Sequence, residues 1–130
     1  MVVDTSALIA VLIGEPSAPR ILRALESDPV RRVSAASLVE ASLVLLHRYG
    51  DGGDAALDRL LRALDAEIVA VDLAQCGVAR EAALRYRRGQ HRAALNFGDF
   101  FSYALASVLG EPLLFVGDDF ATTDITAVPW

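Results

Sequence analysis

The sequence predicts an α/β protein, a three-layer α/β/α sandwich with a central, mainly parallel sheet, and three observations carry that reading. Short apolar runs alternate along the chain with segments of helix length and helix spacing. The first run, Met1-Val2-Val3, and the clearest late one, Leu113-Leu114-Phe115-Val116, lack polar alternation, as strands buried on both faces do. Acids follow both, Asp4 directly and Asp118-Asp119 after Gly117, at the carboxyl edge where open α/β sheets place their ligands.

Asp4-Thr5-Ser6 ends the first strand, and a helix from Ala7 to about Leu12 stops near Gly14 and Pro16. Asp4 has two readings: a helix cap, worth about 1 kcal/mol, or a carboxylate held at the sheet edge for a ligand. Ser17 to Ser27 carries Ile21, Leu22 and Leu25 at helical spacing and is closed by Asp28-Pro29. Arg31 to Ser34 is a short extended link or strand. Ser34 or Ser37 can cap the next helix, which runs to Tyr49 and ends at Gly50. Its only acid is Glu40, and the neighbours Leu43 and Val44 predict that Glu40 points inward with them. Asp51-Gly52-Gly53-Asp54 reads as a turn, Ala55 to Leu64 as a helix and Ile68 to Val71 as a strand. Asp72 opens a helix to about Arg87, ended by Gly89, and Gln90 to Leu95 is a loop. Asn96-Phe97-Gly98-Asp99 leads into an apolar helix, Phe100 to Leu109, stopped by Gly110. Beyond the Leu113 to Val116 strand, Thr122 to Asp124 is turn-like and Ile125 to Val128 reads as an edge strand.

At 130 residues the chain reads as one domain, 1–130, that hides about two-thirds of its unfolded surface. No apolar run approaches the roughly 20 residues of a membrane span, and no signal peptide is recognisable, so a cytoplasmic location without membrane contact is expected. Cys76 is the single cysteine, which excludes an internal disulfide and a zinc cluster; its apolar neighbours suggest a semi-buried thiol. The net charge of -5 argues against a generic nucleic-acid coat. All 12 basic residues are arginine, which excludes lysine chemistry. Arg80, Arg85, Arg87, Arg88 and Arg92, with His91, fall within thirteen residues holding one acid, Glu81. Arginine's planar fork suits phosphate, although such a run is also what a solvated helix face and loop look like.

Asp4, Glu40, Asp99 and Asp118 share an unusual context. Asp99 opens an apolar helix, whose N-terminus accounts for it moderately well. Glu40 has no such explanation, because an unpaired buried carboxylate costs several kcal/mol and no arginine lies three or four residues away. If the four converge, each pair 4 Å apart repels by about 4 kcal/mol at an effective dielectric near 20. A hard divalent ion, Mg²⁺ or Mn²⁺, removes that repulsion, and an all-oxygen donor set fits it. The chemistry such a centre supports is metal-assisted phosphodiester hydrolysis. His47 is expected on the surface near a helix end, and His91 as a phosphate or base contact.

Met1 to Leu8, Glu40 in the third helix, Asn96-Phe97-Gly98-Asp99 with Ser102-Tyr103-Ala104, and Leu113 to Phe120 together resemble the PIN-domain ribonucleases, and among them the VapC toxins of bacterial VapBC toxin-antitoxin pairs. The resemblance covers essentially the whole chain. It implies a Mg²⁺-dependent endoribonuclease that cuts tRNA or ribosomal RNA, works as a homodimer and is inhibited by a VapB antitoxin. Carried over by position, Asp4, Glu40 and Asp99 are the core acids, with Asp4 and Asp99 the direct metal ligands. Where many members have a Thr and an Asp at the end of the last core strand, this chain has Phe115 and Gly117, so Asp118 is the fourth acid, with Asp119 as its substitute. Thr5 and Ser6 are expected to orient Asp4 or a water, and Arg85, Arg87, Arg88, His91 and Arg92 to hold the RNA backbone. A phosphoaspartate phosphatase would need an acid at Ser6, a receiver domain a lysine, and a dinucleotide site a glycine-rich turn after the first strand. The remaining alternative is a PIN-like module that binds RNA or a partner without cutting.

Overall fold

The computed structural model describes residues 1–130. Its elements are β1 (Val2–Val3), α1 (Thr5–Leu12), α2 (Ala18–Ser27), β2 (Arg32–Ser34), α3 (Ala35–Tyr49), α4 (Asp51–Ala63), β3 (Glu67–Val69), α5 (Leu73–Tyr86), α6 (Asp99–Leu109) and β4 (Leu113–Leu114). The strands pair in the order β3-β2-β1-β4, every pair parallel, with Val2 opposite both Arg32 and Leu113 and Val3 opposite Leu114. All four carboxyl ends therefore share one edge.

Alternation along these short strands divides the core into two layers. Val3 and Leu114 face Leu8, Ile21, Leu25, Leu45 and Leu57 from α1 to α4. Val2 and Leu113 face Leu95, Leu105, Phe115 and the α5 and α6 layer. The expected three-layer α/β/α sandwich with a parallel sheet is what these contacts build. No helix is long and apolar enough to cross a membrane.

Several local expectations are corrected. The segment Asp51 to Asp54 is not a turn but the first turn of α4. Two adjacent glycines look like a break in sequence, yet Gly53 is there for close packing. A Cβ at position 53 would stand 2.7 Å from the Leu45 carbonyl oxygen of α3, whereas one at Gly52 would meet nothing within 4 Å. The Ile125 to Val128 edge strand reduces to a single bridge between Leu113 and Ala127. Cys76 is exposed on α5 rather than semi-buried. Along α3 the buried stripe is Ser37, Ala41 and Leu45, while Leu43 and Val44 are 61% and 37% exposed, so Glu40 does not point inward in their company. The inward stripe mixes small residues, Ser37 and Ala41, with Leu45, while Val39 and Leu43 face out.

The two glycines of α4 make opposite predictions. Gly52→Ala should stabilise the fold by up to about 1 kcal/mol, the usual helix preference for alanine. Gly53→Ala should destabilise it by about 1–3 kcal/mol, because overpacking against backbone outweighs that preference. Urea unfolding of both variants, followed by circular dichroism, checks the pair.

Candidate active site

Asp4 sits where β1 gives way to α1 and caps that helix. The amide and the hydroxyl of Ser6 both donate to Asp4 Oδ2, at 2.9 and 2.6 Å. Ser6 Oγ in turn accepts from the Val116 amide at 3.0 Å, just beyond β4. Capping and site-building are thus the same act, since every hydrogen bond to Asp4 falls on Oδ2 and leaves Oδ1 free.

Thr5, the next residue, settles what balances Glu40. Its hydroxyl donates to Glu40 Oε2 at 2.7 Å and lies 3.3 Å from the Ser37 carbonyl. Glu40 is therefore half-buried against a hydroxyl, not against a cation. A second contact fixes it from the other side: a Cβ added to Gly98 would fall on the Glu40 carboxylate, so any larger residue there would push that carboxylate out of its place.

That turn has the reciprocal bonding of a capping box. The Asn96 side-chain oxygen accepts from the amides of Gly98 and Asp99 at 2.7 and 3.2 Å, while the Asn96 amide donates to Asp99 Oδ2 at 2.6 Å. Asp99 is buried at 8% exposure. Burial pushes its carboxyl up to about 7, against the lowering effect of the Asn96 amide, and the negative charges of Asp4, Asp119 and Glu40 push it further in the same direction.

These side chains line a cleft of about 350 Å³ at the carboxyl edge of the sheet, made by Asp4, Thr5, Ser6, Glu40, Asn96, Asp99 and Asp119 with Glu15, Ile9, Val116 and Phe120. Asp118 is not among them. Gly117 takes a φ of 101°, and past this turn it is Asp119, the substitute expected from sequence, that lines the cleft and adds its charge to Asp99. Glu15 was not anticipated. In sequence it is hidden between the breakers Gly14 and Pro16, and only the return of the chain after α1, with the Glu15 amide on the Ala10 carbonyl at 2.9 Å, brings it to the rim.

The donor set is all oxygen, and Asp4, Glu40 and Asp99 each keep one oxygen without a hydrogen-bond partner. No three His, Cys, Asp or Glu side chains stand close enough to share one ion, so the four-carboxylate cage expected from sequence is not preformed. The arrangement still fits a hydrated Mg²⁺, which is commonly held by one or two carboxylates and keeps several waters.

The arginine-rich run lies outside the cleft. Arg85 faces Asp124 at 3.8 Å, and Arg87 Nη1 donates to the Ala83 and Leu84 carbonyls at the end of α5. His91 Nδ1 accepts from the Ala93 amide at 3.1 Å, and its ring is set edge-to-face with Tyr86. Arg88 and Arg92 are exposed and form no ion pair. His47 is exposed near the end of α3, as expected.

Asp99 gives the site a pH signature. Its carboxyl ionises near 3.8 in an unfolded chain and near 7 in the fold. The folded state holds the proton more tightly, so this contribution to stability is complete below pH 3.8 and is lost as pH rises through 7. In EDTA, the parent should lose about 2–4 kcal/mol between these limits relative to Asp99→Asn, whose amide oxygen still accepts from Asn96. Urea titrations at pH 4.5 and 8 measure the difference; equal pH slopes would contradict it.

Comparison with known proteins identifies the family. The sequence profile of the PIN domain matches residues 1–125. The chain is 50% identical over 128 residues to Ribonuclease VapC of Mycolicibacterium smegmatis, covering 98% of this chain and 99% of that protein. It is 48% identical to Ribonuclease VapC30 of Mycobacterium tuberculosis, covering 98% of each. Among solved structures, VapC20 of Mycobacterium tuberculosis, described as a toxin cleaving the sarcin-ricin loop, superimposes with a TM-score of 0.80 at 22% identity over 98% of this chain and 97% of that one. A toxin-antitoxin complex from Klebsiella pneumoniae superimposes with a TM-score of 0.72 at 19% identity, covering 99% of this chain and 97% of that one. The chain belongs to the VapC ribonuclease family of PIN-domain proteins.

Proposed function

We propose that this chain is the toxin of a VapBC-type pair: a Mg²⁺-dependent endoribonuclease, with Mn²⁺ able to substitute, that cuts tRNA or ribosomal RNA in the cytoplasm. A VapB-type antitoxin neutralises it, and it works as a homodimer. The observation that carries the reading is the acidic cleft, where neutral donors hold one oxygen each of Asp4, Glu40 and Asp99 and leave the other free. Relatives about half identical over nearly the full length bear the name ribonuclease.

Asp4 and Asp99 would hold the ion, with Glu40 and Asp119 beside them. When bound, the ion neutralises the phosphate and makes water more acidic. The chain's own groups do the rest. Ser6 fixes Asp4, Asn96 fixes Asp99, and Thr5 turns Glu40 so that its free Oε1 can take the proton of the attacking water. One phosphorus–oxygen bond forms to that water's oxygen as another breaks, and the leaving oxygen takes a proton from solvent. Arg80, Arg88 and Arg92 are members of the basic run that form no ion pair and are free for backbone phosphates.

Purified protein should cleave RNA with Mg²⁺ or Mn²⁺ and stop in EDTA. Asp99→Asn and Asp119→Asn should each lower the cleavage rate at least 100-fold, whereas Asp118→Asn should stay within a few-fold of the parent. Loss of activity in Asp118→Asn with retention in Asp119→Asn would reverse the assignment of the fourth acid. Gly98→Ala tests the turn: the Glu40 carboxylate is the end of a flexible side chain and can move aside. The rate should therefore fall at least 10-fold while the melting temperature stays within about 2 °C, roughly 1 kcal/mol or less for a domain of this size.

A further inference from the structure

Phe97 is 80% exposed, although it lies in a hydrogen-bonded turn of the site, between Asn96 on the cleft wall and Gly98 against Glu40. An apolar ring on the surface costs free energy unless something covers it. Only Phe101 touches it ring to ring, edge-to-face at 5.0 Å between centroids, so most of the ring stands in solvent. It forms a ridge between two troughs. One, about 440 Å³, runs between Phe97 and α3 and shares Glu40 with the acidic cleft. The other lies against α5, where Arg80, exposed and in no ion pair, lines the wall.

An exposed aromatic face, carboxylates built for a phosphodiester on one side and an unpaired guanidinium on the other is how single-stranded nucleic acid is held: bases stack while cations follow the backbone. We propose that Phe97 is the stacking platform for a nucleobase next to the scissile phosphate of single-stranded RNA, with Arg80 meeting a neighbouring phosphate. This rests on the nuclease reading and adds to it a residue that selects unpaired RNA. The Asn96 bonds that fix Asp99 also fix the backbone that carries the Phe97 ring, so one turn would register base and phosphate against each other.

The test uses the full chain. In the Asp99→Asn background, without added metal, binding of a fluorescein-labelled single-stranded oligoribonucleotide is followed by anisotropy for Phe97, Phe97→Ala and Phe97→Trp. Alanine should weaken binding roughly 5- to 150-fold, the range for loss of one base–aromatic stack, and tryptophan should restore it. With Asp99 present and Mg²⁺ added, kcat/KM should fall by a similar factor in Phe97→Ala. Replacing one nucleotide beside the cleavage point by an abasic residue should weaken the parent but add nothing to Phe97→Ala. Binding and cleavage unchanged in Phe97→Ala overturn the proposal and assign the ridge to a protein partner. If the parent cleaves no RNA yet its binding depends on Phe97, the nuclease reading falls and the stacking site stands.

Discussion

The repulsion among carboxylates gathered at one sheet edge is the constraint from which the rest of this structure follows. Burial above all pushes the Asp99 carboxyl up to about 7, and the charges of Asp4, Asp119 and Glu40 push it the same way. A fold can tolerate such a cluster by pairing it with arginines, but here no arginine pairs with any of the four. Arginines are spent elsewhere, as in the Arg32 links to Glu67 and Glu111. Inside the cleft the donors are a threonine hydroxyl, a serine hydroxyl and backbone amides. Neutral donors fix position without cancelling charge, and that uncancelled charge is what the proposal of a bound cation rests on. An arginine in the cleft would have cancelled that charge permanently.

The Asn96–Asp99 turn concentrates several of these demands in four residues. Asn96 supplies the cap, Asp99 the buried carboxylate, and Gly98 the space into which Glu40 fits. A larger residue at 98 would leave the fold intact and still spoil the site, because what yields is the tip of a side chain and not the backbone. Geometry at Glu40 is thus set from two directions, by Thr5 on α1 and by the turn before α6. Neither of these is near it in sequence.

What the sequence shows of this site tracks how local each interaction is. Asp4 after a buried strand and Asp99 three residues after Asn96 are legible, since the strand edge and the capping box are built from neighbours. Glu40 stood out as a lone acid in an apolar helix, but the reason first inferred for it fails: Leu43 and Val44 face outward, and the partner is Thr5, 35 residues away. Helical periodicity marks the apolar stripe, yet two of the three buried residues of α3 are small, Ser37 and Ala41 beside Leu45, and hydrophobicity does not single them out. The choice between Asp118 and Asp119 depends on one backbone angle at Gly117, and Glu15 depends on where the chain returns after α1. The glycines of α4 mislead for a similar reason, because the contact that requires Gly53 lies on another helix.

Strands of two or three residues are short beside the usual five or six, and the end of the β1–β4 ladder shows why so little sheet suffices. The Asp4 amide donates to the Leu114 carbonyl at 2.9 Å, which carries the ladder one residue past β1. The Val116 amide then leaves the ladder and donates to Ser6 Oγ, whose own hydrogen goes to Asp4 Oδ2. The bonds run in one direction, each hydroxyl acting as acceptor and donor, so they polarise one another toward the carboxylate. Through this chain β4 and the Asp119 loop that follows it are tied to Asp4 by a side chain rather than by more strand. The sheet needs only enough length to set the register of Val2 and Val3 against Leu113 and Leu114, and from that register the first and fourth acids arrive at the same cleft.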